Sequence, residues 1–449
     1  MTSPSSTAPG VPAPRAERSF GGDVILTVAS KLLYALGGVL VTIIIARGLG
    51  PNGQGIFAVA LNLTLMLIQL GSIGLPVANP FFAARDPEAQ PVLIGYSLRL
   101  AIVLSLVLAA GACVLKAVLP SSLAGLGWTE LTITLATIPL ALAALFLQGI
   151  LLGRQAMVAY NVVELTQVAV ALVGLAAAFA FFDPGLAAVL VIIGASRVVS
   201  LGVALGALRG VLRPSGARRP GLLRQMLRKG ALVYLVALIA FVLIRVDLLL
   251  VNAIVGAGQA GQYSIAAIIA EGLVLVPLVV GTNLLPRVAT SSDAALTAMV
   301  FRTMFIGFGL MCLASAPGVA IAVPILFGDR YEDAVPLYFD LVPGVFALGL
   351  LNSLTIHYFV RGYPRPLIAT WIVALLANVV ANLVLLEPLG TRVAPLASSA
   401  AYVAVLVAHV LVFRRELGGW SALRPRPSEA RQLIVDAVRR RAPAPGGPG

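Results

Sequence analysis

Charge is scarce in this chain. Only 11% of its 449 residues are Asp, Glu, Lys or Arg, against about a quarter in soluble domains. Cysteine is nearly absent: Cys113 and Cys312 stand in different apolar segments, which leaves neither a disulfide framework nor a metal site. The residue alternation of a membrane barrel strand is missing. So are a Gly-rich nucleotide loop, any clustering of nucleophile with base, and any long outer connection; the longest expected outer loop is about a dozen residues around Ser121–Glu130. Together these absences exclude a soluble enzyme and leave no extramembrane domain in which a reaction could be housed. The work of the protein lies inside a bilayer.

What is present is apolar. Hydrophobic residues make up 59% of the chain, mean hydropathy is +1.00, and runs longer than the ~18 residues of a membrane helix recur along most of it. The first run is too long for a signal-peptide core and no small-residue cleavage site follows it, so it reads as a first membrane helix. Twelve helices are expected at 22–46, 55–83, 92–118, 131–152, 158–181, 186–208, 230–255, 262–285, 301–326, 335–360, 366–386 and 393–413. Residues 1–20 and 414–449 read as Pro- and Gly-rich disordered tails, the second basic. A basic inter-lobe loop, 209–229, separates a first lobe (21–208) from a second (230–413).

The net charge of +13 is explained by topology rather than by nucleic acid. With both termini cytoplasmic, the inner segments hold 23 Lys and Arg and the outer ones four, the asymmetry expected of inside-facing loops. The 209–229 loop and the tail read as topogenic, with attraction to anionic membrane lipids. A repeat is also legible. A shift of 206 residues aligns Gly50 with Gly256, Gly55 with Gly261, Phe57 with Tyr263 and Pro80 with Pro286. Two six-helix halves in one orientation form a parallel repeat, the plan of transporters that rock one half against the other.

Several motifs carry a resemblance. Arg245-Val-Asp247 with Gly261-Gln-Tyr263, Glu271 and Leu285-Pro286, the turn Ala46-Arg47-Gly48-Leu49-Gly50-Pro51 with Gly55, Leu326-Phe-Gly328 with Tyr331, Pro343-Gly344, and Asn378 with Asn382 together resemble the Wzx-like polysaccharide flippases. Their superfamily also holds the MATE exporters and the lipid II flippase. The likeness runs over about residues 20–415. It implies an all-α, V-shaped, two-lobe bundle that moves an undecaprenyl-pyrophosphate-linked oligosaccharide across the bacterial cytoplasmic (inner) membrane, working beside polymerase or glycosyltransferase machinery. No cofactor is implied.

Such a cargo needs cations for its phosphates and amide or hydroxyl groups for its sugars. Ionisable groups at membrane depth are costly and are functional candidates. The substrate-binding candidates are Lys31, Arg99, Arg197 and Arg245, with Asn62, Gln69 and Tyr234. Glu164, Asp247 and Glu271 are candidate coupling or cavity acids. Bland alternatives stand beside these: Lys31 snorkelling or paired with a neighbouring acid, an Arg245–Glu271 pair, an Arg197–Glu164 pair, Asp247 solvated near the outer surface, and Asn378 and Asn382 as structural groups. Asp23, Thr27, Lys31, Tyr34, Gly38 and Thr42 fall on one helical stripe, and Tyr234, Arg245 and Asn252 share a face. Proton relay through His357 or His409 is a minor reading. A cation-coupled drug exporter is the first alternative function, expected to have a more acidic and aromatic pocket. A membrane glycosyltransferase or polymerase is the second, and the short loops argue against it.

Overall fold

The computed structural model describes residues 20–212, 221–281 and 294–424. All regular structure among them is helical: α1 (Phe20–Ser72), α2 (Leu75–Arg85), α3 (Gln90–Val118), α4 (Trp128–Ala136), α5 (Ile138–Gly153), α6 (Met157–Phe181), α7 (Leu186–Leu208), α8 (Leu222–Ile254), α9 (Ala257–Leu273), α10 (Ala294–Phe327), α11 (Ala334–Arg361), α12 (Arg365–Leu389) and α13 (Val393–Glu416), with short 3-10 turns between some of them. Eleven apolar helical stretches are long enough to cross a bilayer. The first, Leu26–Ser72, has 47 residues, roughly twice the 20 or so that one crossing needs. Gly50 leaves helical geometry in its middle (φ 65°, ψ −179°), and counting this stretch twice gives twelve crossings.

The helix breaks follow local chemistry. Gly50 takes a positive φ that a side chain disfavours, and Pro51 restarts the helix without needing an N–H partner. The repeat partner Gly256 also combines a positive φ with an extended ψ (φ 112°, ψ 169°). Gly328 (φ 95°, ψ 164°) and Gly390 (φ 79°, ψ −174°) complete a set of four equivalent turns. Each joins an odd crossing to the next even one, so all four lie at the same end of the bundle, called here the turn end.

Some boundaries depart from the sequence expectation. The second crossing is not one helix over 55–83: Ile73 (φ 38°) and Gly74 (φ 78°) break it before Pro76. The fourth is broken at Thr137, two residues before Pro139, where proline disfavours helical geometry upstream. The seventh starts at Leu222 rather than 230 and shortens the basic loop. The eighth starts at Ala257 and is interrupted at Val274 before running on to Gly281. The tails and Leu285, Pro286 and Arg287 lie outside the described residues.

Buried apolar side chains form two groups. One gathers residues from Val41 to Met226; the other runs from Val236 to Leu423 and takes in Ala46 and Ala58 from α1. Large apolar side chains also cover the outside, Leu313 at 73% exposure and Leu106 at 67%, as expected where lipid is the solvent.

Candidate functional site: a polar cavity between the lobes

The lobes are sealed at the turn end. A Cβ on Gly55 would lie 1.8 Å from the carbonyl oxygen of Ala257, and one on Gly261 would lie 2.1 Å from that of Pro51. Since 55 repeats as 261 and 51 as 257, these are two copies of one contact, each half using the same patch on the other. Around them, Arg47 donates to the carbonyls of Leu326 (2.8 Å) and Ile325, the last turn of α10. Tyr331 donates to the Ala46 carbonyl at 2.9 Å, and burial pushes its phenol pKa up. Gln54 Nε2 reaches Ser264 Oγ at 3.2 Å.

The face of α8 that carries Tyr234, Arg245 and Asn252 runs along this seam. Tyr234 donates to the Leu70 carbonyl (2.7 Å) and Asn252 to that of Ala124 (3.0 Å), while Asn62 of α1 donates to the Arg245 carbonyl (2.7 Å). All three bonds cross from one lobe to the other.

Beyond the seal lies a cavity of about 350 Å³. Tyr34, Gly38 and Thr42 of α1, Gln167 of α6, Ser196 and Arg197 of α7, and Glu271 of α9 line it. Phe57 and Leu61, beyond the Gly50 break in α1, line it too, and Thr42 before the break is eight residues from Gly50, about 12 Å along the helix.

Arg197 is the deepest cation here, 6% exposed. Its Nη1 donates to Thr137 Oγ1 at 2.6 Å and its Nε has no partner. It does not pair with Glu164, whose carboxylate is held by Lys31 Nζ at 2.6 and 2.7 Å, with Tyr160 Oη at 3.4 Å from the same ammonium. The compensation for Arg197 is the broken fourth crossing. Thr137 caps the C-terminus of α4, where aligned peptide dipoles leave roughly half a negative charge. Half a charge does not cancel a guanidinium, so the site keeps a net attraction for anions.

Across the cavity, Arg245 Nη2 meets Glu271 Oε2 at 2.6 Å and lies over the Phe241 ring at 5.7 Å. Its Nε is also unpartnered. Asp247 is 1% exposed, so it is not solvated. Its carboxylate accepts from the Tyr263 hydroxyl, from Ser398 Oγ (2.8 Å) and from the Leu248 N–H (2.8 Å). Asn378 donates to Ser398 Oγ at 3.0 Å and Asn382 to Asn378, which makes one buried network within the second lobe.

The other candidates stand apart from the cavity wall. Asn62 is buried in the seam, Gln69 is half-buried and Arg99 of α3 is exposed. Thr27 accepts from Asn161 at 3.4 Å; the Asp23 side chain is not described. His357 lies between Thr297 Oγ1 (3.1 Å) and Glu416 Oε2 (3.0 Å). His409 faces the Tyr363 hydroxyl (2.6 Å) and the Val405 carbonyl (2.8 Å), so both histidines are tied into second-lobe packing. Among the described residues, no cluster of three or more His, Cys, Asp or Glu could hold a metal ion. Gln167, which the sequence sets beside Asn161 and Glu164 on one helix, does line the cavity; sequence reasoning missed Thr137 and Ser196, and Pro139 was the available signal for the break at Thr137.

Comparison places this arrangement among known proteins. The family described as polysaccharide biosynthesis protein matches residues 20–292. Sequence comparison with curated proteins gives no match. Among solved structures, an inward-facing multidrug resistance MATE family transporter of the MOP superfamily is similar over 94% of this chain and all of its own, at 14% identity and TM-score 0.69. A MOP superfamily transporter from Pyrococcus furiosus, described by the reverse polarity of its binding pocket, matches 88% of this chain and 94% of its own at 15% identity and TM-score 0.61. The lipid II flippase MurJ in an inward closed conformation covers 92% and 91%, at 10% identity and TM-score 0.59. At these identities the likeness is one of fold.

Proposed function

Because the chain belongs to the polysaccharide biosynthesis proteins, we propose that it flips a polyprenyl-pyrophosphate-linked oligosaccharide from the cytoplasmic to the outer leaflet. The observation that carries this reading is Arg197: a buried guanidinium with a free donor and, among the described residues, no acid against it, on the wall of a cavity between two lobes. Arg presents a fork that fits phosphate oxygens. In this reading the turn end is the outer end, the seal closes it, and cargo enters from the cytoplasmic side.

Arg245 offers the second contact. Its partner Glu271 also lines the cavity, so an arriving phosphate competes with Glu271 for the same guanidinium. Gln167, Ser196 and Tyr34 supply polar contacts beside them. The polyprenyl tail stays in the lipid outside. Alternating access then requires the Gly55–Ala257 and Gly261–Pro51 contacts to part at one stage and the Tyr234–Leu70 bond, at the opposite end, at another.

Asp247 is the coupling acid in this scheme. A carboxylate held by hydroxyls and one amide, without a cation in contact, is a place to load a proton or a small cation. It lies two residues from Arg245 on α8, so its charge state acts on the cavity through that helix. Lys31 and Glu164 hold α1 to α6 at the cavity's first-lobe wall.

The deciding experiment is delivery of surface polysaccharide in a deletion strain complemented with wild type or Arg197→Ala, with membrane abundance measured. Restoration by wild type and failure of the variant at equal abundance supports the reading. Unchanged polysaccharide on deletion, with altered drug sensitivity, replaces it with the exporter.

A further inference from the structure

The second lobe carries a groove that the cavity does not use. On its outer flank α10, α11 and α13 leave an apolar channel of about 470 Å³. Phe305 and Phe346 meet edge to face at 5.4 Å on its floor, and Phe346 stacks on Phe308 at 6.1 Å. It is open to the side: Phe305 is 43% exposed, Val407 49% and Trp420 51%.

One end of the groove is built differently. After α13 the chain reverses at Gly418 (φ 75°) and Gly419 (φ 140°), the left-handed conformations that glycine permits. The short 3-10 turn Trp420–Ala422 then folds back, so that Trp420 and Arg424 wall this end. The Arg414 guanidinium lies 4.6 Å over the Trp420 ring, and Arg415 and Arg424 are exposed. The single acid on this stretch, Glu416, is turned towards α11, 3.5 Å from Arg361 and 3.0 Å from His357. It does not answer the arginines at the groove.

The depth of the groove matches one leaflet. Leu406 to Glu416 on α13 spans ten residues, about 15 Å, half of the ~30 Å hydrocarbon core. The channel is therefore apolar from mid-membrane outwards, with an aromatic ring and cations at headgroup level, where tryptophan and arginine settle at interfaces.

We propose that this groove binds an anionic phospholipid of the surrounding leaflet. One acyl chain lies along Phe346, Phe305 and Val410, and the phosphate sits between Arg424 and the Arg414–Trp420 pair. A neutral lipid or a packed helix would fill the channel but leave these cations unanswered. The site is separate from the inter-lobe cavity and does not depend on what that cavity carries.

The test uses the full chain, purified in mild detergent, stripped of lipid and titrated by native mass spectrometry. The ligands are phosphatidylglycerol and phosphatidylcholine of the same chain length. Two arginines at headgroup level predict about thirtyfold tighter binding of phosphatidylglycerol. Arg414→Gln with Arg424→Gln is expected to remove that preference and leave phosphatidylcholine binding unchanged. Val410→Trp fills the channel and is expected to lower the binding of both. If Val410→Trp fails to fold, Val407→Trp, at an exposed position on the rim, carries the same arm. Equal binding of the two lipids by wild type overturns the proposal, as does full binding by a folded channel-filling variant. Displacement of phosphatidylglycerol by equimolar polyprenyl phosphate also overturns it, and would give the slot to the cargo's tail.

Discussion

A buried arginine that meets no acid among the described residues is the sharpest feature at the scale of single residues. Desolvating a guanidinium costs several kcal/mol, and the C-terminus of α4 returns only part of it. A charge-assisted hydrogen bond contributes about 1.5–3 kcal/mol. Arg197→Ala is therefore expected to weaken binding of a polyprenyl pyrophosphate about ten- to a hundredfold, measured by titration of purified protein. Arg197→Lys should keep part of the affinity, because the charge stays and the fork is lost. Glu271→Gln makes the opposite prediction: with its competitor neutralised, Arg245 binds phosphate more tightly and releases it more slowly. Equilibrium binding should strengthen while delivery slows; weaker binding would refute the competition. The Arg245–Glu271 pair was one of the readings the sequence offered and is the one observed; that Lys31 rather than Arg197 meets Glu164 was not legible from spacing. The sequence put Lys31, Glu164 and Arg197 at compatible depths, but which of them meet depends on how α1, α6 and α7 are rotated about their axes. Asp247 went the same way: its partner Tyr263 is 16 residues on, across the turn at Gly256, and no periodicity of α8 reveals it.

At the scale of elements, the long helices were plain from hydropathy and the breaks only where glycine announced them. Gly50 and Gly256 stood out as paired by the repeat; the break at Thr137 did not, because a Pro two residues on is equally compatible with a kinked continuous helix. The glycines at the seal give a direct test. A methyl group at Gly55 or Gly261 collides with the backbone carbonyl of the other half, and backbone cannot swing aside as a side chain can. Gly55→Ala and Gly261→Ala are expected to push the turn end open. Spin labels at Arg47 and Leu326, 2.8 Å apart through a hydrogen bond in the closed form, should report longer and broader distances in either variant. A distribution identical to wild type would mean that the helices slide to absorb the methyl group. Arg47→Ala is expected to act in the same direction but more weakly, since a cation at a helix C-terminus contributes about 0.3–1 kcal/mol.

For the molecule as a whole, the two lobes move as units only if the seal breaks as a unit. Gln54→Cys with Ser264→Cys places two thiols where the native side chains are 3.2 Å apart. Oxidation should lock the turn end closed and stop delivery, and reductant should restore it. Delivery by the oxidised form would rule out opening at this end. The seal and the site also differ in kind. The seal respects the internal repeat: Gly55 opposite Ala257, Gly261 opposite Pro51. The charges do not, since Arg245, Asp247 and Glu271 correspond in the first half to Val39, Val41 and Leu65. By formal count the first lobe's inward set, Lys31, Glu164 and Arg197, carries one positive charge. The second lobe's set, Arg245, Asp247 and Glu271, carries one negative charge. The halves are thus a weak electrostatic clasp across a low-dielectric gap, where such forces reach further than in water. In the proposed cycle an anion seated on Arg197 would cancel that clasp, so the passenger would loosen the door that holds it.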